Sequence, residues 1–454
     1  MEKLLKKITG KYNVAVPRYT SYPTMPYWDN QTFNEGVWKD SVRMSFDESN
    51  QASGISLYIH LPFCENLCTY CGCNTRITKN HSVEEPYIAA VLQEWRAYRN
   101  LFGEIPVIRE IHLGGGTPTF FSANNLHRLI DGLLEGVHIH EKAEFSFEAH
   151  PANTTRDHLQ TLFDLGFRRL SLGIQDFDPR VQFIINRQQS FEQVLEVTLQ
   201  ARQIGYTSVN YDLIYGLPLQ SLEGLVNTMN IVGGLNPDRI AFYSYAHVPW
   251  IKPGQRRFTE ADLPAPELKA KLHKIGRSLL TSYGYMEIGM DHFALPGDEL
   301  LEAAQSGELH RNFMGYTQEH TQLLIGLGVS SIGDSWYGFA QNVKTVEEYL
   351  ALTNAGGFAL MKGHLLSEAD LVLRRHILDI MCKGQTQWNR YPEAVEEEGV
   401  ARLQALAEDG LVELSRSGLK VTPLGKYFLR NICMCLDARL WAAQPTTQLF
   451  SMAV

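Results

Sequence analysis

The run Tyr58-Ile-His-Leu-Pro-Phe-Cys64-Glu-Asn-Leu-Cys68-Thr-Tyr-Cys71-Gly-Cys73-Asn74 places four cysteines within ten residues, directly after an apolar stretch, Ile55 to Leu61. Three residues separate Cys64 from Cys68 and two separate Cys68 from Cys71. A short loop with this spacing can turn three thiolates toward one point. A four-iron cluster normally takes four cysteines, so three would leave one iron free to bind a small molecule. Such a site is suited to chemistry on a ligand, beyond passing electrons.

A structural zinc site that uses all four cysteines is the competing reading, because thiolates suit zinc as well as iron–sulfur. Zinc sites usually draw on two separated pairs, and none of the other three cysteines pairs up nearby. Cys71 and Cys73 are one residue apart, an awkward spacing for one ion. A disulfide knot does not suit a long chain with few cysteines and no signal peptide.

Further polar residues fall where strand-like runs stop. Leu113-Gly114-Gly115-Gly116-Thr117-Pro118 follows one run, and its glycines let the backbone approach a ligand closely. Glu148 ends Phe-Ser-Phe-Glu148-Ala-His150-Pro151. Gln175 ends Gly-Ile-Gln175-Asp176, with Arg187 just beyond, Asp212 lies in Asn-Tyr-Asp212-Leu-Ile, and Ala246 and His247 follow the last run. A carboxylate leaving an apolar strand is costly unless paired. Any one of these could be structural; together, at matching strand ends, they point to ligand contact.

The elements that must position them alternate. Strands are predicted at 55–61, 107–113, 144–149, 169–174, 208–214 and 239–245, with helices near 84–101, 124–135, 155–165, 191–204 and 222–234. Repeated strand–helix units imply a parallel sheet with right-handed crossovers. Six units suit an open, partial barrel with its chemistry at the C-terminal strand ends. The fold class expected is thus α/β, a partial (β/α)6 barrel. Residues 1–50 read as an arm without helical or strand period, 51–365 as the catalytic domain with its barrel core at 55–246, and 366–454 as a small, mostly helical, winged-helix-like domain. In that last part Ser367-Glu-Ala-Asp opens a helix with a capping pattern, 400–409 is another helix, and 410–422 looks like a hairpin. Residues 247–365 hold a predicted helix at 268–283. They also hold His292, His310, Arg311 and several aromatics without period, where any single histidine is more often a hydrogen-bonded structural residue.

The cysteine spacing, with an aromatic before the third cysteine, resembles the signature of the radical S-adenosylmethionine (SAM) enzymes. The longer string Tyr-Ile-His-x-Pro-Phe-Cys…Cys-x-Tyr-Cys-Gly-Cys-Asn resembles the oxygen-independent coproporphyrinogen III oxidases. The resemblance continues through Pro17-Arg18-Tyr19-Thr20-Ser21-Tyr22-Pro23-Thr24, Gly-Gly-Gly-Thr-Pro, Met-Asp-His-Phe-Ala, His-Arg-Asn-Phe-x-Gly-Tyr-Thr and the C-terminal Cys433-Met-Cys435 string, from about Tyr12 to Asp437. It implies that Cys64, Cys68 and Cys71 hold a [4Fe-4S] cluster and that Cys73 is not a ligand. It implies that Tyr58, Tyr70, Gly115, Glu148 and Ile332 hold a cluster-bound SAM. A second SAM site would be lined by Gly116, Thr117, Gln175, Arg187, Asp212 and Ala246. Arg18 and the arm's tyrosines become candidates for substrate contact. His150 departs from the acid that relatives often carry there.

The reaction implied is oxidative decarboxylation of two propionates of coproporphyrinogen III to vinyls. A 5′-deoxyadenosyl radical takes a hydrogen from each propionate β-carbon, two SAM are consumed, and protoporphyrinogen IX results. Haem chaperones share the cysteine motif, but Cys73-Asn74 and the arm string speak against a trafficking protein. Another radical SAM reaction on a tetrapyrrole is a further alternative.

Composition bounds the rest. The 454 residues are 44% hydrophobic and 20% charged, enough for a large core. No apolar run reaches the roughly 18 residues that cross a membrane, and the N-terminal Met-Glu-Lys-Leu-Leu-Lys-Lys carries no lipidation or secretion signal. A cytoplasmic monomer with reduced cysteines is expected, with neither nucleic acid nor membrane as partner. The net charge of −9 argues against a broad nucleic-acid surface. Glu396-Glu-Glu398 withholds the basic stripe that a zinc-stabilised, DNA-binding winged helix would need. Cys433 and Cys435, one residue apart, suit packing better than a second metal site.

Overall fold

The computed structural model describes residues 8, 10–318, 320–388, 397–445, 447 and 449–453; residues 1–7 and Glu396, used above, lie outside these. The chain enters its main layer through a helix, α1 (Glu35–Ser53), capped by the Asn34 side chain. Trp38, Val42 and Phe46 recur at helical spacing and are buried in the main core. The expected end of the arm at residue 50 therefore falls inside α1, which packs with the barrel.

Six strand–helix units follow: β1 (Ile55–Leu61), α2 (Glu84–Arg99), β2 (Val107–Gly115), α3 (Ala123–Leu134), β3 (His138–Ala149), α4 (Arg156–Asp164), β4 (Phe167–Gln175), α5 (Phe191–Ile204), β5 (Ser208–Tyr215), α6 (Leu222–Leu235) and β6 (Arg239–Ser244). The strands from β1 to β6 pair in parallel, in chain order. Near-continuous burial of β1 is what a parallel strand covered on both faces requires. Helix ends are set locally: Ser190 and Gln193 form a capping box at the start of α5, and Gly205, at φ 117°, ends it.

After helix α7 (Pro266–Ser282), β7 (Met286–Ile288) and β8 (His292–Ala294) extend the sheet antiparallel beyond β6. On the other side β9 (Leu324–Leu327) pairs with β1 in parallel, followed by antiparallel β10 (Ile332–Asp334), β11 (Gly338–Asn342) and β12 (Leu360–Leu365). The order is β12-β11-β10-β9-β1-β2-β3-β4-β5-β6-β8-β7, a twelve-stranded sheet. The seventh parallel strand, β9, is an addition to the six expected. It has four residues and a glycine at its third position, too short for a pattern to declare itself.

The C-terminal part has helices at Glu368–Lys383, Glu397–Glu408 and Leu429–Cys435 and a three-stranded sheet ordered Gln385–Gln387, Gly418–Val421, Val412–Ser415. Ser367 and Asp370 make the expected capping box. This part shares its hydrophobic core with the arm: Val16, Tyr19 and Tyr22 are buried among Ile377, Leu429 and Cys433. The Cys433 and Cys435 thiols are also buried and reach the Ile377 and Asn431 carbonyls, as packing residues would. Among the described residues no helix is long and apolar enough to cross a membrane.

Candidate functional site

β1 runs straight into the cysteine loop, which is pinned at several points. Phe63 is buried against Tyr87, Phe120 and Phe121. The Arg76 and Thr78 amides donate to the Pro62 and Cys64 carbonyls, and the Thr69 amide donates to Ile185 O. Asn186 Nδ2 donates to Leu67 O at 2.8 Å. His60 Nε2 lies 2.8 Å from Asn74 O, holding the far end.

The loop forms one wall of a cavity of ≈ 540 Å³ at the C-terminal ends of the strands. Eleven of the fourteen predicted residues line it: Cys64, Cys68, Cys71, Tyr70, Gly115, Gly116, Thr117, Glu148, Gln175, Arg187 and Asp212. Tyr58, Ala246 and Ile332 do not. Tyr58 lies behind the wall, pairing with Gly326 and His112 in register and stacked on the His112 ring. Ile332 backs Gly326, where its carbonyl leaves no room for a side chain. Ala246 is tied in at second hand: Gln255 Nε2 donates to both Ala246 O (3.3 Å) and Tyr70 O (3.2 Å).

Each of the three cysteine sulfurs has its own partner. Cys64 Sγ shares a hydrogen bond with Thr117 Oγ1 (3.3 Å), Arg187 Nη1 donates to Cys68 Sγ (3.6 Å), and the Cys73 amide donates to Cys71 Sγ (3.4 Å). Burial pushes the Cys64 thiol up to about 11 and raises that of Cys68 against the pull of Arg187. A hydrogen bond from the Cys73 side chain leads in pulling the Cys71 thiol below its ordinary value, helped by the Cys73 amide. Among the described residues no three His, Cys, Asp or Glu side chains converge on one point as they would around a single metal ion.

Next to the loop lies a backbone cradle. Gly115 adopts φ 112°, and a Cβ there would sit 2.7 Å from the His60 ring; at Gly116 it would sit 2.5 Å from Pro62 O. Only glycines let the chain pass so close beneath the cysteine loop. The Gly115 amide donates to Glu148 Oε2 (3.2 Å), and His112 Nε2 lies 3.6 Å from Oε1. Burial pushes the Glu148 carboxyl up, but His112, the Gly115 amide and His60 together hold it below the ordinary carboxylate range. Glu148 thus stays charged and faces the cavity, where it could hold an ammonium.

Arg187 Nε and Nη2 clasp Gly173 O at 3.1 and 2.6 Å. Gln175 is buried at the end of β4 with φ 66°, a conformation that is uncommon outside glycine. Asp212 accepts from Ser171 Oγ (3.0 Å) and Asn210 Nδ2 (2.9 Å). Burial and the Glu148 charge still push it up to about 6. His150 lines the same cavity and accepts the Ala152 amide at 3.1 Å, which makes it a turn-former with burial pushing it down to about 2.

Sequence reasoning missed the residues that support these. Ser171 lines the cavity, His60, His112 and Asn210 lie one step from it, and Gln189 Nε2 holds Gly173 O and Ile174 O. Most were findable by alternation. His60 lies two residues beyond Tyr58, and Asn210 two before Asp212, so each pair shares a face. Register aligns Glu148 with Ser171, and Ser171 with Asn210.

Comparison with known proteins places the chain. The Radical SAM superfamily pattern matches residues 58–232. An oxygen-independent coproporphyrinogen III oxidase of Salmonella typhimurium is 40% identical over 437 residues, covering 95% of this chain and 94% of that protein. One from Synechocystis is 36% identical, covering 99% and 97%. The solved structure of coproporphyrinogen III oxidase from Escherichia coli, a radical SAM enzyme, matches with TM-score 0.87 and 38% identity over 93% of this chain and 97% of that one.

Proposed function

The chain belongs to the oxygen-independent coproporphyrinogen III oxidases of the radical SAM superfamily, and from that membership we propose that it converts coproporphyrinogen III to protoporphyrinogen IX, with the cavity beside the cysteine loop as its active site. The family's cofactors are a [4Fe-4S] cluster and SAM. The reaction removes one hydrogen from the β-carbon of each of two propionates. Each loses carbon dioxide and an electron to an acceptor and leaves a vinyl group. The observation that carries the reading is that three thiols, each with its own hydrogen-bond partner, share one cavity wall with a cradle of glycines and a charged carboxylate.

The donor set fits the cofactors. Cys64, Cys68 and Cys71 would hold the cluster, with Arg187, Thr117 and the Cys73 amide orienting their sulfurs. Glu148 would take the ammonium of SAM, and Gly115 would let its amino-acid part lie against backbone. Tyr58 and Ile332 would act from behind this cradle, and Tyr70 from the loop. Gly116, Thr117, Gln175, Arg187, Asp212 and Ala246 would line the place of a second SAM. When bound, the pair supplies one-electron chemistry able to take hydrogen from an unactivated carbon. The chain's own part is to position the reacting carbon and keep solvent away from it. Free thiols and this chemistry suit a cytoplasmic location.

The test is anaerobic. Protein reconstituted with iron and sulfide, reduced, and given SAM and coproporphyrinogen III should form 5′-deoxyadenosine and a divinyl product. Cys68→Ser should form neither. Stable haem binding without SAM cleavage would support trafficking and overturn the reading.

A further inference from the structure

Tyr243 lines the cysteine cavity, and behind it lies a group of cations drawn from four distant segments. Arg18, from the arm, lies over the Tyr243 ring, 5.5 Å from its centre, and pairs with Asp291. Arg311, from the strand His310–Asn312, is 5% exposed and stacks on the Tyr316 ring at 4.5 Å. Among the described residues its guanidinium donates only to the Arg18 carbonyl, at 3.5 Å, and its Nε is buried with no hydrogen-bond partner. His292 lies 3.3 Å from the Tyr243 hydroxyl through Nε2, while its Nδ1 is also buried without a partner. Arg430 and Lys269 complete the group and are held by backbone carbonyls and, for Arg430, the Ser451 hydroxyl.

Among the described residues these four cations form one ion pair, Arg18 with Asp291. Buried charges are normally paired. Here they strain one another: burial and Arg430 push Lys269 down to about 8, and burial and Arg18 push Arg430 down to about 10. In a chain with a net charge of −9, such a local excess of positive charge, buried at Arg311 and Arg430 and half-buried at Arg18 and Lys269, calls for an anion.

We infer that this seam is the carboxylate receptor for the tetrapyrrole: Arg311, with its open Nε–H beside His292, takes a propionate that does not react and so sets which propionate faces the cysteine cavity. The inference rests on the coproporphyrinogen reading. The substrate's reacting carbons must lie at the cavity, and its remaining carboxylates must then extend past Tyr243. Arg311 is a positioning residue, since it acts on a part of the substrate that does not change.

The experiment is a fluorescence titration of the full chain with two stable porphyrins of the same ring, coproporphyrin III with four free carboxylates and its tetramethyl ester with none. Wild type should prefer the tetracarboxylate. Arg311→Gln should weaken coproporphyrin by about ten- to a hundredfold and the tetraester much less, so that the preference collapses. Arg311→Lys, which keeps the charge but not the fork, should fall between, and His292→Gln should repeat the pattern more weakly. With coproporphyrinogen III, Arg311→Gln should raise KM more than it lowers kcat. Equal loss for both porphyrins, or unchanged coproporphyrin binding in Arg311→Gln and His292→Gln alike, overturns the inference. Failure of the wild type to convert coproporphyrinogen strikes the functional reading instead.

Discussion

The cysteine cavity and the seam around Arg311 meet at Tyr243, and they are built on opposite plans. The cavity takes its residues from successive strand ends and one loop, and its polar groups are mostly satisfied: each cluster thiol has a hydrogen-bond partner, and Glu148 and Asp212 each have at least two. The seam takes its residues from the arm, α7, the edge of the barrel and the C-terminal part, and leaves Arg311 Nε and His292 Nδ1 open. A site that positions cofactors for radical chemistry is preorganised. A site that waits for a polyanion keeps its cations short of partners.

Breaking the cavity should have the largest effect. Cys68→Ser should abolish SAM cleavage, a loss of at least about a thousandfold on the scale of removing a catalytic group, and should strip iron from the protein. Absorbance and product chromatography check both.

The arm's hold on the C-terminal part comes next. Arg430 donates to the carbonyls of Val16, Pro17, Ser451 and Met452. Arg430→Met removes these bonds, leaving the Ser451 carbonyl with the Val16 amide and the other three without this donor, and should cost about 4 kcal/mol, at one to three for each buried group lost, read as a lower denaturation midpoint. An unchanged midpoint would show that the arm is held by its tyrosines alone.

Asp212 sharpens the comparison through pH. Its native carboxyl is pushed up to about 6 from an ordinary 3.8, so the native state keeps that proton longer than the unfolded chain. Its contribution is fully present below the ordinary value and is lost as pH rises through the native one. Wild type should therefore lose about 3 kcal/mol relative to Asp212→Asn between about pH 4 and pH 6. Urea titrations of the cluster-free chain across that range would show it, and parallel curves for the two proteins would contradict it.

The smallest effect is at the border itself. Tyr243→Phe keeps the ring beneath Arg18 and removes one 3.3 Å hydrogen bond to His292. It should weaken coproporphyrin binding by about 1 kcal/mol and leave SAM binding as it was.

The same contrast explains what could be read from the sequence. Strand–helix alternation located β1 to β6, because the buried parts of parallel strands are apolar and their helices carry caps, but it missed the first half of β3, where His138–Ala143 is polar and mostly exposed. The cysteine spacing, Gly115–Gly116 and Glu148 declared the cavity for the same reason: the chemistry is written in contiguous residues at strand ends. Helix α1 was hidden because its polar face dilutes the recurrence of Trp38, Val42 and Phe46. β9 was too short to show a period. Arg311 could be noted as a cation among aromatics, but its missing partner is a tertiary fact. Nothing near it in the chain tells that Arg18, Lys269 and Arg430 will arrive beside it while only Asp291 answers them.

The most direct test of the central claim is the paramagnetic resonance spectrum of the reconstituted, reduced protein with and without SAM. If Cys64, Cys68 and Cys71 hold a cluster with one open iron, the spectrum should shift on adding SAM, and Glu148→Gln should need more SAM for the same shift. A cluster spectrum indifferent to SAM, or a protein that takes up zinc and no iron, would contradict the account.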